Sequence, residues 1–180
     1  MRRTGLGLAA VAFAAAALAT GSAAAMGKLP ESRVITPGVG VGVVQLGDPM
    51  AEASAAWGVA QFCFDRGDGA GEGCIWDSTV KRLAIGPYVA VTTGDTGLIT
   101  LIAVGKPGWR TKQGIGVGST RAQTLAAYKG WKRLAPSLST IGELQLRHGT
   151  GPNGDPGTVT QFHFSKGRVS MISLLTWEQQ

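Results

Sequence analysis

The residues best placed to do chemistry fall in one short run, residues 62–76, FCFDRGDGAGEGCIW. It holds the chain's two cysteines, Cys63 and Cys74, with three acids between them. Asp65, Asp68 and Glu72 offer carboxylate oxygens of the kind calcium takes in flexible loops, although their spacing does not follow the EF-hand series. Arg66-Gly67-Asp68 is an adhesive tripeptide where a receptor reads it. The run also reads as a β-hairpin closed by a disulfide, its tip rich in Gly and Asp because those residues accept turn conformations.

The two histidines, His148 and His163, are the other reactive candidates. Zinc wants three or four ligands, and no His, Asp or Glu pair falls at helical ligand spacing. There is no Gly-x-Ser-x-Gly elbow, so a hydrolase would have to assemble its groups around His148 or His163 from distant positions. Gly114-x-Gly116-x-Gly118 precedes a helical stretch, where phosphate is conceivable, but the P-loop lysine is absent. No metal or cofactor is expected.

The chain's beginning sets the compartment. Residues 1–25 carry Arg2 and Arg3, an apolar run from Leu6 to Leu18, and Ala23-Ala24-Ala25. This is the layout of a secretory signal peptide. The rival reading is a retained anchor, since Gly5–Met26 is uncharged and long enough to span a bilayer; its alanine richness and the small-residue end favour cleavage. No cysteine follows the apolar run, which excludes lipoprotein processing. The expected location is secreted, periplasmic or cell-wall associated, with no stable membrane span after cleavage. Export makes a Cys63–Cys74 disulfide credible.

Charge is uneven. Residues 26–105 hold five Lys/Arg and eight Asp/Glu, a balance of −3, and residues 106–180 hold ten and three, a balance of +7. The basic half could attract an anionic wall polymer, a membrane surface or an acidic protein. An exported chain without an aromatic-basic recognition motif is not expected to bind nucleic acid.

The elements that must position these groups recur. GDPMAEASAAWG (47–58) matches GSTRAQTLAAYKG (118–130) at an offset of 71, with Trp57 against Tyr128. GVGVVQLG (40–47) resembles GIGVG (114–118), and GDTGLITLIAV (94–104) resembles SKGRVSMISLL (165–175) at an offset of 70. The reading is a linker over 26–35 and two tandem units, 36–105 and 106–177. In the second unit Thr120 and Gln123 form a capping box ahead of a helix over Arg121–Tyr128. In the first, Asp48 is expected to cap and Pro49 to take the first helical position. Strands are expected over Val59–Asp65, Cys74–Asp77, Tyr88–Thr93 and Leu98–Val104, then Glu143–His148, Thr158–Phe164 and Arg168–Trp177. Each unit is thus a short helix followed by three or four antiparallel strands, an α+β fold.

This arrangement, with GSTRAQTLAAY at one helix start, the cysteine hairpin after the other and GRVSMISLLTW at the end, resembles the β-lactamase inhibitory protein family and its exported bacterial relatives. The resemblance implies one continuous, curved antiparallel sheet with a concave face offered to a protein partner; related single-repeat lipoproteins serve outer-membrane assembly. Two departures matter. The second unit lacks a disulfide, and STVKRLAIGPYV (78–89) has Pro87 where the inhibitors place an acid before an aromatic pair, with Val89 after Tyr88. No inhibitory residue carries over, and fold alone does not license inhibition.

Aromatics beside cations complete the candidates. Trp109 sits with Lys106, Arg110 and Lys112, and Trp131 with Lys129, Lys132 and Arg133; Trp and Arg are typical interface anchors. The candidate interface is therefore Tyr88, Trp109, Arg110, Lys112, Trp131, Lys132 and Arg133. The expected function is a secreted, non-enzymatic bacterial module that binds a protein of the envelope or exterior. The alternatives are a small exported hydrolase using a histidine, and a binder of an anionic wall polymer or membrane surface through the basic second unit.

Overall fold

The structure, a computed structural model, describes residues 33–67, 69–76, 87–129, 144–149 and 157–176. The described residues form an α+β fold with two short helices and eleven strands, most of them antiparallel.

The main sheet is built from β4 (Phe62–Asp65), β5 (Glu72–Trp76), β6 (Val89–Thr93), β7 (Ile99–Val104), β9 (Leu144–His148), β10 (Thr158–Ser165) and β11 (Arg168–Thr176). Its seven strands are ordered β4-β5-β6-β7-β11-β10-β9, every pair antiparallel. Register carries one row of side chains straight across six strands: Trp76, Val89, Val104, Ile172, Phe162 and Leu144. All six are buried, as a row on one face must be when that face is covered.

The cover comes from both helices. α1 (Met50–Trp57) buries Ala53 and Trp57, and α2 is Arg121–Ala127. Trp57 packs on Trp76 near one end of the row, and Tyr128, just past α2, packs on Phe162 near the other. Helices this short need such packing to persist. The expected capping box of α2 is present, with Thr120 Oγ1 accepting from Gln123 N–H and Gln123 Oε1 accepting from Thr120 N–H. The expected Asp48 cap is not. Pro49 holds the N-cap position without a side-chain bond, and Asp48 turns back to accept Gln45 N–H at 2.7 Å.

A second, four-stranded sheet completes the layer. It is ordered β3-β2-β1-β8, from β1 (Val34–Thr36), β2 (Gly40–Val41), β3 (Val44–Gln45) and β8 (Arg110–Thr111). β1 and β8 pair in parallel although each residue lies 76 positions from its partner, Val34 beside Arg110 and Ile35 beside Thr111. Ile35, placed in the expected linker, is fully buried there with Val41 and Val44. The intervening turn docks on the main sheet: Thr160 Oγ1 accepts Gly38 N–H at 2.9 Å, and Thr158 donates to Gly38 O at 2.8 Å.

The two hairpins of the main sheet share a detail. The β6–β7 register shifts at Thr92/Thr93, leaving Thr100 as an extra residue, and the β10–β11 register shifts at His163/Phe164, leaving Ser170. Thr100 donates its hydroxyl to Thr92 O and Ser170 donates its own to His163 O. The approach to each helix is also tied to its hairpin in one way. Gly47 N–H and Ile99 N–H bond Ile99 O and Asp48 O, while Gly118 N–H and Val169 N–H bond Val169 O and Ser119 O.

Candidate functional site

The cysteine run is a hairpin. Cys63 and Cys74 face each other across β4 and β5, with Cα atoms 4.1 Å apart, and are joined by a disulfide. Close cross-strand spacing of this kind belongs to the non-hydrogen-bonded position of an antiparallel ladder. At the tip, Asp65 Oδ1 accepts Gly67 N–H, and Arg66 reaches the carbonyls of Ala70 and Thr93. Asp65, Glu72 and Asp95 line an open cleft there; Asp68 lies outside the described residues. Glu72 and the two cysteine sulfurs fall within 4.8 Å of one another, but those sulfurs are bonded to each other and offer no thiolate.

The opposite face of the main sheet differs from the helix-covered one. One row there runs Phe62, Ile75, Ala90, Ala103, Ser173, Gln161 and Gln145. It begins apolar on β4 and turns polar at β11. Over the apolar half lies an open trough of about 460 Å³, whose walls include Phe62, Phe64, Tyr88, Leu101 and Met171. Phe62 and Phe64 stack with ring centroids 5.8 Å apart, and Phe64 is 39 % exposed. Tyr88 donates its hydroxyl to Met171 Sδ at 3.1 Å, and burial raises its pKa above the usual 10.0. At the polar end of the trough, His163 Nε2 and Ser173 Oγ are 3.0 Å apart. Ser173 is 3 % exposed and sits on β11 between β7 and β10, where the ladders on either side occupy its main chain.

No family model and no curated protein matches this chain. Among solved structures it is similar to an extracellular protein containing a SCP domain from Bacillus anthracis, at 9 % identity and a TM-score of 0.48, covering 74 % of this chain and 45 % of that one. The chain thus spans less than half the length of that protein, and a likeness at this level carries no argument.

His148 stands on the helix-covered face, far from His163. Its Nε2 is 2.9 Å from Thr160 Oγ1, and burial lowers its pKa below the ordinary 6.5. The structure does not bring the two histidines to one site.

Of the candidate interface residues, Tyr88 borders the trough, while Arg110 and Lys112 are exposed on the other layer. Trp109 corrects the sequence reading. It is 1 % exposed and belongs to the core with Ile35 and Ile115. Its polar neighbours suggested a surface connector, but the segment enters the small sheet as β8, and alternation sends Trp109 inward while Arg110 stays out. Trp131, Lys132 and Arg133 lie outside the described residues. Sequence reading missed Phe62, Phe64, Leu101 and Met171 as a surface. The available signal was apolar or small residues in the second phase of β6 and β7, at Ala90, Leu101 and Ala103.

The disulfide is compatible with an exported chain, and no helix among the described residues is long and apolar enough to cross a membrane.

Proposed function

We propose that this chain is a secreted, non-enzymatic binding module built of two tandem α+β repeats, and that it grips a protein through the trough. The carrying observation is the trough itself: aromatic and aliphatic side chains left accessible on a sheet whose other face buries the Trp76–Leu144 row under the helices. Rings such as Phe62, Phe64 and Tyr88 supply large contact area with few torsions to freeze. The repeat reading is supported by the paired bulges at Thr100 and Ser170, 70 residues apart, and by the equivalent bonds from Gly47 and Gly118. The resemblance to the β-lactamase inhibitory protein family is consistent with protein recognition by a sheet face, while Pro87 still argues against inherited inhibition.

The test is capture of a partner from the native exoproteome by the full chain, wild type against Phe64→Asp and Leu101→Asp. Loss of the same captured protein with both variants supports the reading. Undiminished capture by both overturns it.

One observation favours a hydrolase as a second reading, the His163–Ser173 pair at the edge of the trough. A fluorophosphonate probe that labels Ser173 in the wild type and not in His163→Ala would support it. No labelling of Ser173 at any pH sinks it.

A further inference from the structure

A second pocket lies on the helix layer, away from the trough, in the loop that leads into α2. It is about 580 Å³, large enough for a small ligand. Arg110 and Arg168 line it from opposite ends of the loop. Arg110 Nη1 donates to Gly114 O at 2.8 Å, and Arg168 Nη1 donates to Gly118 O at 2.9 Å. Each guanidinium has five N–H donors, so one bond to a carbonyl fixes it in place and leaves the remainder of the fork.

The other polar walls also present donors. Gln123, on the pocket wall, accepts Thr120 N–H through Oε1, which assigns the amide and leaves its NH2 group as a donor. Gln113 Oε1 accepts from Tyr128. Ser119 Oγ accepts Gly116 N–H and keeps its own proton to give. Among the described residues no carboxylate lines the pocket. The described residues from 106 onward carry eight Lys or Arg and no Asp or Glu; the acids of that half, Glu143, Asp155 and Glu178, lie outside them. A lining of fixed donors in a cationic surround selects an anion.

We propose that this pocket binds a phosphate group. Guanidinium forks match phosphate oxygens two at a time. Donors on several walls suit a tetrahedral anion with three or four oxygens better than a flat carboxylate with two. The loop amides do not make this a backbone cradle. Ile115 N–H goes to Thr111 Oγ1, Gly116 N–H to Ser119 Oγ and Gly118 N–H to Val169 O. Recognition therefore rests on side chains, Arg110 and Arg168 first.

The test uses the full chain, 15N-labelled and titrated with inorganic phosphate at constant ionic strength. Saturable shifts are expected at residues 114–119 and at the Nε–H signals of Arg110 and Arg168. Arg168→Lys keeps the charge but loses the fork, and weakens binding about tenfold. Arg110→Lys does the same and serves if the first variant does not fold. Lys129→Gln, which removes a charge outside the pocket lining, changes binding less than about twofold. Shifts that fail to saturate, or equal weakening by Arg168→Lys and Lys129→Gln, overturn the proposal. The source of the phosphate is read with glycerol phosphate and with vesicles of phosphatidylglycerol or phosphatidylcholine. Glycerol phosphate that displaces the chain from phosphatidylglycerol vesicles identifies a lipid headgroup in this pocket. Saturable glycerol phosphate binding with no attachment to either vesicle identifies a soluble or polymer-borne phosphate. Vesicle attachment without any saturable response to inorganic phosphate overturns the site.

Discussion

The indole of Trp57, at the end of α1, meets the indole of Trp76 on β5 edge to face, with centroids 5.3 Å apart and planes at 84°. Trp76 Nε1 donates to Gly58 O at 3.0 Å, so one residue holds both the side chain and the chain exit of the helix. Trp57 is fully buried, and its own Nε1 has no hydrogen-bond partner among the described residues. Its contribution is therefore packing. Trp57→Ala should cost about 3–5 kcal/mol, measured by urea unfolding. Trp57→Phe, which keeps a ring and removes the orphaned N–H, should cost clearly less. Equal costs would mean that the edge-to-face contact is not what holds α1.

The disulfide should stabilise the chain by about 3 kcal/mol, the loop-entropy value for a closed loop of this length. The Cys63→Ser, Cys74→Ser double variant reads it against wild type in calorimetry. The sulfurs join strands already paired on the ladder, so the main sheet should survive with a lower Tm. Loss of all cooperative unfolding would show that the hairpin nucleates the fold instead of only tightening it.

Much of this was legible because turn chemistry and period-2 alternation were strong where strands were long. In β10 Phe162 and Phe164 alternate with Gln161 and His163, Ser165-Lys166-Gly167 marks the turn into β11, and the expected ranges of both strands fall within a residue of those found. The small sheet was not legible. Its strands are two or three residues long, too short for any alternation to register. That single gap explains two errors, the linker assigned across Ile35 and the exposed role given to Trp109. Asp48 was misread because an acid before Pro-Met resembles a cap, while the carboxylate equally reaches a backbone N–H on its other side. The trough escaped notice because accessible and buried apolar residues look alike in a sequence; only the register separates the Trp76 row from the Ile75 row.

The Gly38–His148 contact predicts a pH dependence. Burial holds the His148 pKa below 6.5 in the folded chain, while the unfolded chain keeps the ordinary value. The unfolded state then binds the proton more readily, so stability is complete above 6.5, falls as pH drops through it toward the folded value, and levels off below that. Urea midpoints should therefore fall from about pH 8 to about pH 5, and by less in His148→Gln. Gly38→Ala should destabilise at every pH. Gly38 has φ +72°, and an added methyl would run into the His148 ring. A wild-type midpoint that rises on acidification would refute this account.

The last prediction separates the trough from the core. Gly73 on β5 pairs with Phe64, and the Phe64 ring lies where a Gly73 side chain would project. Gly73→Ala must push that ring away, and because Phe64 is exposed on the edge strand it can swing outward at little cost. The variant should keep the wild-type Tm within about 3 °C, since the group that must yield to the buried methyl is an exposed ring whose displacement costs about 0.5 kcal/mol or less. It should nonetheless lose partner capture, because one wall of the trough has moved. Phe64→Leu, which shortens that wall without adding charge, should weaken capture in the same direction. Full capture by both variants, with unchanged Tm, would show that Phe64 is a bystander and that any contact lies elsewhere on the sheet.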